Sequence, residues 1–433
     1  MTTNPGTLEG TDPGSRRGKP PTAPAAPRHA HGIRANLRPF VGWGVLTLWV
    51  GTVLGVERVA VPLIGASVFG VSSYVVLLSF IASFGFVKAA SNFLAGVSTD
   101  RVGRRTVEAV GWVAMVPVPL LLITAPSWDW VIVANALVGV SQGLTWTTAV
   151  TSQIDLAGPA QRGLSVGINE AAGYGGVTLG GIAAGYLATV ELRVAPFEFM
   201  AVVTVAALLL SMALRDTRPW ARREADPGAL SRTESHPWAI FIAASWQNRS
   251  LFACSQAGLI EKFVDTLAWG IVPVYLLGFG YGPVTIALVV GIYTGSWAVL
   301  QLLTGALSDR IGRRTPIVLG MLLAAFGVGL FPLARSLPEF VLLALIAGVG
   351  MALLYPTLIA AVSDVGGSAH RGTVLGAYRF WRDSGYGFGA LFLGVTATLL
   401  GVPATFVVAA LLMVISAAIV AASLGSAPEP ARG

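Results

Sequence analysis

Charged residues are scarce in this 433-residue sequence: 28 are basic and 21 acidic, which is 11% of the chain, against about 25% in an average soluble protein. Hydrophobic residues make up 54%, which is more than a soluble domain of this length buries in one core. The composition therefore excludes a water-soluble globular protein and predicts that a lipid bilayer surrounds most of the chain.

Cysteine and histidine are also rare. The single cysteine, Cys254, excludes an internal disulfide framework, and four scattered histidines exclude a dense His/Cys metal cluster. The phosphate-binding pattern G-x-x-x-x-G-K-[ST] is absent. We therefore expect no metal, no nucleotide and no other cofactor, and we expect a gradient of protons or of another ion to supply the energy.

Long apolar runs are abundant. Twelve runs are long enough to cross the ~30 Å hydrocarbon layer as helices, and they lack the alternation of barrel strands. The predicted fold class is an all-α polytopic membrane protein with twelve transmembrane helices. The expected spans are 40–63, 72–95, 107–125, 129–152, 164–190, 197–214, 250–276, 283–304, 315–334, 339–362, 373–399 and 402–424.

Polar stretches divide these spans into two groups of six. The first stretch is rich in Pro, Gly, Ala and Thr, which is typical of a disordered tail, and the second contains the run RDTRPWARREADPG, which is typical of a linker. The predicted organisation is a disordered cytoplasmic tail (1–38), a six-helix bundle (39–214), a cytoplasmic linker (215–249), a second six-helix bundle (250–425) and a short cytoplasmic tail (426–433).

Basic residues are distributed unevenly between the two sides of the predicted membrane. If the N terminus is cytoplasmic, 21 of the 28 basic residues lie on cytoplasmic segments, and only Arg193 and Arg335 lie on outside loops. The positive-inside rule then predicts that both termini are cytoplasmic. The net charge of +7 is expected to face anionic lipid headgroups and not nucleic acid. Arginine greatly outnumbers lysine, which is typical of a GC-rich bacterial genome, so we expect a bacterial cytoplasmic membrane.

The sequence contains an internal repeat with an offset of 209 residues. Residues 96–105 read GVSTDRVGRR and residues 305–314 read GALSDRIGRR, and Asp155 and Arg162 recur at the same offset as Asp364 and Arg371. Both copies begin on the same side of the membrane. The repeat therefore predicts two parallel six-helix halves related by an axis along the membrane normal.

The repeated loop combines glycines, which permit close helix contacts and sharp turns, with charges of both signs. We predict that these charges latch the cytoplasmic face when the protein opens outward. The alternative is that the arginines only determine topology. The predicted cytoplasmic gate comprises Gly96, Asp100, Arg101, Gly103, Arg104, Arg105, Asp155, Arg162, Gly305, Asp309, Arg310, Gly312, Arg313, Arg314, Asp364 and Arg371.

The G-x-x-x-D-R-x-G-R-R pattern resembles the signature loop of the major facilitator superfamily. The resemblance implies two six-helix repeats, and it implies that spans one, four, seven and ten surround the transport pathway. Residues 59–63 (VAVPL) resemble the twelve-span drug:proton antiporters of that family. The sequence departs from those antiporters at Gly139, where they carry an arginine, and in residues 176–181, which keep their glycines but lack their proline.

We single out ten charged residues inside the predicted spans as candidates. A charge at the centre of such a span costs ~2.5–3.5 kcal/mol, so each is a functional candidate. Glu261 and Asp265 lie four residues apart on one helical face and are the preferred proton carriers, with Glu170 and Glu57 as further candidates; the alternative is that bases hold these acids in structural pairs. The predicted substrate-cavity residues are Arg58, Lys88, Gln142, Trp146, Tyr355, Arg379, Arg382 and Asp383.

Two of these positions correspond to each other at the repeat offset. Glu170 in the first half corresponds to Arg379 in the second, so the charge changes sign between the halves. A cross-half ion pair and two opposed substrate contacts both explain the change. An ion pair between Arg379 and Asp383 within one helix explains it equally well, and would leave Arg382 without a local partner.

The leading hypothesis is a secondary active transporter that works by alternating access and exports a drug-like compound or metabolite against protons. Uptake or exchange of a small organic anion is the alternative, favoured by Lys88, Arg379 and Arg382. A non-transporting sensor is a remote alternative because the linker and tail leave no room for an output domain. We expect no enzymatic activity, because all four histidines lie outside the spans. The expected partners are a small-molecule substrate and the lipid bilayer, and the chain is expected to be a monomer.

Overall fold

A computed structural model describes residues 30–224, 237–365 and 367–425. Over these ranges the chain forms helices and no strands. Twelve long helices are present, and we number them in chain order. They are α1 (Leu37–Ser67), α2 (Tyr74–Val102), α3 (Arg104–Thr124), α4 (Trp128–Ala157), α5 (Arg162–Leu187), α6 (Ala195–Ala213), α7 (Arg249–Thr266, continued by Leu267–Ile271 and Val272–Gly278), α8 (Pro283–Ile311), α9 (Arg314–Gly329), α10 (Leu337–Val365), α11 (Gly367–Leu400) and α12 (Val402–Ser423).

The predicted all-α polytopic fold is confirmed. Eight of the twelve helices are long and apolar enough to cross a membrane by length and composition alone. The other four, α4, α5, α7 and α11, are the helices in which polar and charged residues interrupt the apolar sequence, and they carry most of the candidate site described below. Several helices extend beyond the apolar runs, because a helix continues into the polar layer where its side chains are solvated.

Shorter helices connect the two halves. Arg218–Glu224 follows α6, and Pro237–Ile242 precedes a π-helical turn, Ala243–Gln247, and then α7. Residues 225–236 of the predicted linker, residues 1–29 of the predicted tail and residues 426–433 lie outside the described ranges. Residues 30–36 contact the end of α4: the Asn36 Nδ2 donates to the Leu156 carbonyl at 3.2 Å.

The helix α7 contains a second π-helical turn, Leu267–Ile271, followed by Pro273. Each hydrogen-bonded loop in such a turn contains one more residue than an α-helical loop, so the turn marks a local change in helix geometry. It directly follows the charged segment of α7 that contains Glu261 and Asp265.

The first half is held together by a very close contact between α1 and α5. A Cβ atom added to Gly51 would lie 1.9 Å from the Gly173 carbonyl oxygen, and one added to Gly180 would lie 2.1 Å from the Thr52 carbonyl oxygen. Only glycine fits at this backbone separation. The glycines of residues 176–181 therefore have a packing role in this chain even though the proline of the antiporter pattern is missing.

The two halves meet along two helix pairs, α2 with α11 and α5 with α8. We call the end of the bundle that carries residues 96–105 and 305–314 the motif end, and the opposite end the far end. Contacts between α2 and α11 run from Val75 with Gly394 at the far end to Asn92 with Asp383 near the middle. Contacts between α5 and the second half run from Gly185 with Ala287 to Glu170 with Tyr355.

Nearer the motif end, four helical glycines face open space. A Cβ atom added to Gly96 on α2, Gly167 on α5, Gly305 on α8 or Gly376 on α11 would have no neighbouring heavy atom within 4 Å. The contacts named above between the halves therefore lie at the far end and in the middle, and these glycines do not pack against the other half.

Candidate functional site

The two repeated loops form corresponding ion pairs at the motif end. Arg104 lies 3.1 Å from Asp155, and Arg313 lies 2.9 Å from Asp364. The glycine preceding each arginine, Gly103 or Gly312, has a positive φ (104° and 83°), which favours glycine and lets the chain turn sharply between two helices. Each ion pair lies within one half, because it joins the start of α3 to the end of α4, or the start of α9 to the end of α10.

The remaining residues of the predicted gate have different surroundings. Four arginines of the loops, Arg101, Arg105, Arg310 and Arg314, are exposed, as expected for residues that determine topology, and Arg162 is partly buried. The side chains of Asp100, Asp309 and Arg371 lie outside the described part of the structure. The gate as a whole remains a prediction.

A hydrogen-bonded circuit crosses between the halves near the middle of the bundle. Trp146 Nε1 on α4 donates to Glu170 Oε1 on α5 at 3.2 Å, and Tyr355 OH on α10 donates to Glu170 Oε2 at 3.1 Å. Arg382 Nη1 on α11 donates to Tyr355 OH at 2.9 Å. Glu170 is therefore linked to Arg382 through Tyr355, and not to Arg379, its counterpart in the repeat.

The circuit continues from α11 back to the first half. Arg382 Nε donates to Asp383 Oδ1 at 2.7 Å, and Asn92 on α2 donates to the other oxygen of Asp383. Thr147 on α4, next to Trp146, then donates to Asn92 Oδ1 at 2.9 Å. Near the middle of the bundle, a closed ring of polar contacts therefore joins the two halves. The ring contains one buried acid from each half, Glu170 from the first and Asp383 from the second.

The acids of α7 form a second cluster inside the second half. Lys262 Nζ lies 2.9 Å from both Glu261 and Asp265. Asp265 also accepts hydrogen bonds from Tyr293 OH at 2.5 Å and from Tyr386 OH at 3.1 Å. The lysine between the two acids in the sequence is thus their shared counter-charge. Glu261 has only the ammonium group beside it, and both its oxygens lack a hydrogen bond in the described structure.

A third buried pair, Glu57 with Arg58, lies nearer the far end. Arg58 Nη1 is 2.8 Å from Glu57, and both side chains are fully buried. The guanidinium carbon lies 4.2 Å from the centroid of the Phe84 ring and 5.6 Å from that of Trp269 on α7. Cation–π contacts partly replace the hydrogen bonds that the guanidinium lacks among the described residues.

Two of the candidate bases have no carboxylate partner. Lys88 on α2 and Arg379 on α11 form no ion pair with any residue of the described ranges. The ammonium of Lys88 lies 5.3 Å from the ring centroids of Phe84 and Trp146 and 5.6 Å from that of Tyr386. Arg379 is partly exposed. The Arg379–Asp383 pair, one of the arrangements that the sequence left open, is therefore not formed, because Asp383 is held by its neighbour Arg382 and by Asn92.

Gln142 lies inside the first half and not between the halves. Its Nε2 donates to the Val50 carbonyl oxygen at 2.8 Å, so it joins α4 to α1. A structural contact of this kind does not require a substrate. Trp146 and Tyr355, in contrast, lie at the boundary between the halves.

Several polar residues of the site were missed by the sequence reasoning. Asn92, Thr147, Tyr293 and Tyr386 complete the two clusters, yet their residue types are common in helices and carry no individual signal. Glu108 on α3 was also missed, although it lies within the predicted third span. It is fully buried and accepts a hydrogen bond from Trp112 Nε1 at 2.9 Å. A charge inside an apolar run is the sequence signal that could have identified it.

Comparison with known proteins agrees with this architecture. The family model described as Major Facilitator Superfamily matches residues 43–261 and again 257–433, so the two halves match the same family separately. The resemblance of the repeated loop to that family is confirmed.

Solved transporter structures are similar in fold. A POT family transporter in complex with a thioalcohol-conjugated peptide has a TM-score of 0.73 at 13% identity and covers 88% of this chain and 95% of its own. A D-xylose-proton symporter has a TM-score of 0.70 at 15% identity, with 91% and 98% covered. The human organic anion transporter MFSD10 (TETRAN) has a TM-score of 0.62 at 19% identity, with 87% and 99% covered. At these identities the similarity describes the fold alone.

Proposed function

Since the chain belongs to the major facilitator superfamily, we propose that it is a secondary active transporter that exports a drug-like compound or metabolite across the bacterial cytoplasmic membrane in exchange for protons. One observation carries the proposal. Among the described residues, the named contacts between the two halves run from the far end to the middle, and buried acidic and basic side chains lie where these contacts end. An alternating-access transporter requires such an arrangement, because its two halves must separate at one end at a time.

The cytoplasmic assignment of the motif end rests on the positive-inside rule, with exposed arginines in both loops. The present conformation is then open to the cytoplasm. We propose that the motif end closes when the far end opens, and that the charged loops hold it closed. The chain is expected to act without a cofactor, as a monomer and not as an enzyme.

Glu261 is our preferred proton carrier. Asp265 accepts hydrogen bonds from three donors, Lys262, Tyr293 and Tyr386. Glu261 has the Lys262 ammonium alone. A proton on Glu261 leaves the Lys262–Asp265 pair intact, so the cluster stays neutral whenever the proton is bound. Glu170 and Glu57 remain further candidates.

The helix register predicts which residues meet when the motif end closes. The helices of each contacting pair run in opposite directions, so a step along one is matched by a step back along the other. Thr178 on α5 lies 2.8 Å from Thr294 on α8. Eleven residues from each of them towards the motif end are Gly167 on α5 and Gly305 on α8. Likewise, a Cβ atom on Gly85 of α2 would contact Gly387 of α11, and eleven residues from each towards the motif end are Gly96 and Gly376. These four glycines are also repeat partners, so the two closing contacts should correspond.

Cysteine cross-linking tests this conformational change. In a Cys254→Ser background, the pair Gly167→Cys and Gly305→Cys should cross-link slowly in the open form and faster when ligand and gradient drive turnover. The pair Val75→Cys and Gly394→Cys, at the closed far end, should cross-link readily and stop transport. Cross-linking of both pairs at the same rate under all conditions would contradict alternating access.

Reconstituted vesicles test the coupling. The purified chain is placed in vesicles with an imposed pH gradient, and movement of fluorescent and radiolabelled drug-like compounds is followed with and without the gradient. We expect accumulation that stops when the gradient collapses, and slower accumulation in the Glu261→Gln variant. Transport at an unchanged rate without a gradient would rule out proton exchange.

The alternative function, uptake or exchange of an organic anion, is favoured by one observation, the unpaired base Lys88. The same vesicles distinguish proton-coupled transport from anion exchange. A substrate that is exchanged for a second anion moves without any pH gradient when that second anion is trapped inside the vesicles.

A further inference from the structure

We propose that the Lys88 pocket, defined as Lys88, Phe84, Trp146, Arg382 and Tyr386, binds the acidic group of a monoanionic substrate whose apolar part is aromatic. The inference rests on the proposed transport function and names the substrate class.

Lys88 differs from the other buried bases of the described structure. Arg58, Lys262 and Arg382 each have a carboxylate at 2.7–2.9 Å. Lys88 is only 6% exposed, and among the described residues no hydrogen bond or ion pair joins its ammonium group to an acceptor. An ammonium group on a largely buried side chain is costly when it has no acceptor, and three aromatic rings compensate only in part. An anion bound beside this ammonium would supply the acceptor.

The neighbouring carboxylates are already occupied. Asp383 is held by Arg382 and by Asn92, which lies one helical turn from Lys88 on α2. Glu170 accepts its hydrogen bonds from Trp146 and Tyr355. Neither acid is within 4 Å of the Lys88 ammonium, so an incoming anion does not have to displace an existing partner.

Arg382 contributes a second donor to the pocket. Its Nε and Nη1 bind Asp383 and Tyr355, and no described partner is recorded for its Nη2. Lys88 belongs to the first half and Arg382 to the second. An acidic group between them therefore contacts both halves, which is where a transported substrate must bind if it is to be reached from either end.

Aromatic rings extend from Lys88 into the second half and indicate the nature of the rest of the ligand. Trp146 contacts Tyr174 edge-on at 5.5 Å between centroids, and Tyr174 lies 3.6 Å from Trp297. Trp297 contacts Tyr355 at 4.9 Å, and its Nε1 has no hydrogen-bond partner in the described structure. A planar apolar group packs well against such rings.

The repeat makes the pocket asymmetric. The residue that corresponds to Lys88 at the 209-residue offset is Trp297. One side of the interface thus offers a positive charge and the other an aromatic ring, which orients a ligand that has one acidic and one apolar end. A neutral or symmetric ligand would not use this difference.

Three probes with the same ring system test the proposal: naphthalene-2-carboxylate, naphthalene-2-carboxamide and 2-naphthylmethylammonium. Their affinities for the purified full-length chain are measured by isothermal titration at neutral pH without a gradient. We expect the carboxylate to bind at least tenfold more tightly than the amide and the ammonium. Lys88→Met should remove that preference, and Lys88→Arg, which keeps the charge, should retain it.

The Arg38→Gln variant shows whether position matters or only total charge, since Arg38 is an exposed base at the start of α1, outside the site. We expect Arg38→Gln to keep the preference for the carboxylate. A wild-type protein that binds the ammonium as tightly as the carboxylate, a Lys88→Met protein that keeps the preference, or an Arg38→Gln protein that loses it would each overturn the proposal. Thermal unfolding confirms that each variant is folded, and Lys88→Arg provides the test if Lys88→Met is not.

The same experiment separates this proposal from the transport function. Binding of the carboxylate through Lys88 without any movement across vesicle membranes would overturn transport and leave the pocket in place. Gradient-driven movement of neutral or cationic compounds, with no binding preference for the carboxylate, would overturn the pocket and leave transport in place.

Discussion

The two copies of the repeated loop form the same ion pair in different surroundings. The Arg104–Asp155 pair is almost fully buried, with 7% and 9% of the side chains exposed, whereas Arg313 and Asp364 are 23% and 58% exposed. Neighbouring segments cover the first pair: Thr217 Oγ1 donates to Asp155 at 2.7 Å, and His31 Nδ1 lies 3.1 Å from its carbonyl oxygen. The repeated sequence determines which residues pair, but the segments around it determine how strongly they pair.

The first helices of the two halves differ even more. The α7 residues Glu261, Lys262 and Asp265 correspond at the repeat offset to Thr52, Val53 and Val56 of α1. The α1 helix uses this region for its close contact with α5, and α7 uses it for a cluster of two acids and a lysine. The two halves therefore share a helical framework but place different residues at these equivalent positions.

The largest expected effect concerns the ionised cluster, which has no counterpart in α1. Lys262→Met removes the base that lies 2.9 Å from two buried acids and should destabilise the protein by about 3–5 kcal/mol, because the acids lose their paired counter-charge. Thermal unfolding in detergent measures the change.

The control for the Lys262→Met variant also removes the charges of the two acids. The triple variant Lys262→Met, Glu261→Gln and Asp265→Asn should be more stable than Lys262→Met alone, because no charge is left without a partner. A triple variant that is less stable than the single variant would show that packing, and not charge, accounts for the loss.

An effect of intermediate size is expected for the two ion pairs of the repeated loops, Arg104–Asp155 and Arg313–Asp364. Arg104→Gln should lower the free energy of unfolding by about 2 kcal/mol, as expected when a buried charged hydrogen bond is lost. Arg313→Gln should lower it by less than about 1 kcal/mol, because exposed ion pairs contribute little. Unfolding temperatures of the two variants, measured side by side, test the difference, and equal losses would mean that burial does not separate the two copies.

The smallest effect concerns a second pair of repeat partners, Asn92 and Gln301. Asn92 donates to Asp383 across the halves, whereas both polar atoms of the Gln301 amide lack a partner in the described structure. Asn92→Leu should cost about 1–2 kcal/mol, and Gln301→Leu should be neutral or slightly stabilising, because it removes an unsatisfied buried amide. Unfolding temperatures check both, and a clear loss of stability in Gln301→Leu would indicate that its amide is hydrogen-bonded.

The fold was predictable from the sequence to a large extent. Apolar run lengths predicted the helices, and the 209-residue offset predicted the two halves, since both depend on local composition. The sharp turns at Gly103 and Gly312 were predictable for the same reason: a left-handed conformation favours glycine, and both glycines recur in the repeat.

The partners within the site were much harder to predict. Neighbouring residues on a helix point in different directions, so the sequence did not indicate that Lys262 contacts Glu261 or that Arg382 binds Asp383. Long flexible side chains bend back to reach an adjacent residue when burial makes an unpaired charge costly. Asn92, Tyr293 and Tyr386 come from other helices, and only tertiary packing brings them to the acids.

The π-helical turn at Leu267–Ile271 interrupts the regular α-helical hydrogen bonding of α7. It directs Trp269 towards Arg58 and Tyr386, while Leu267, Ala268 and Val272 line an apolar cavity inside the second half. Sharp kinks in long helices occur at π-helical turns of this kind. The turn therefore separates two lengths of α7, one that holds Glu261, Lys262 and Asp265 and one that continues from Val272 to Gly278.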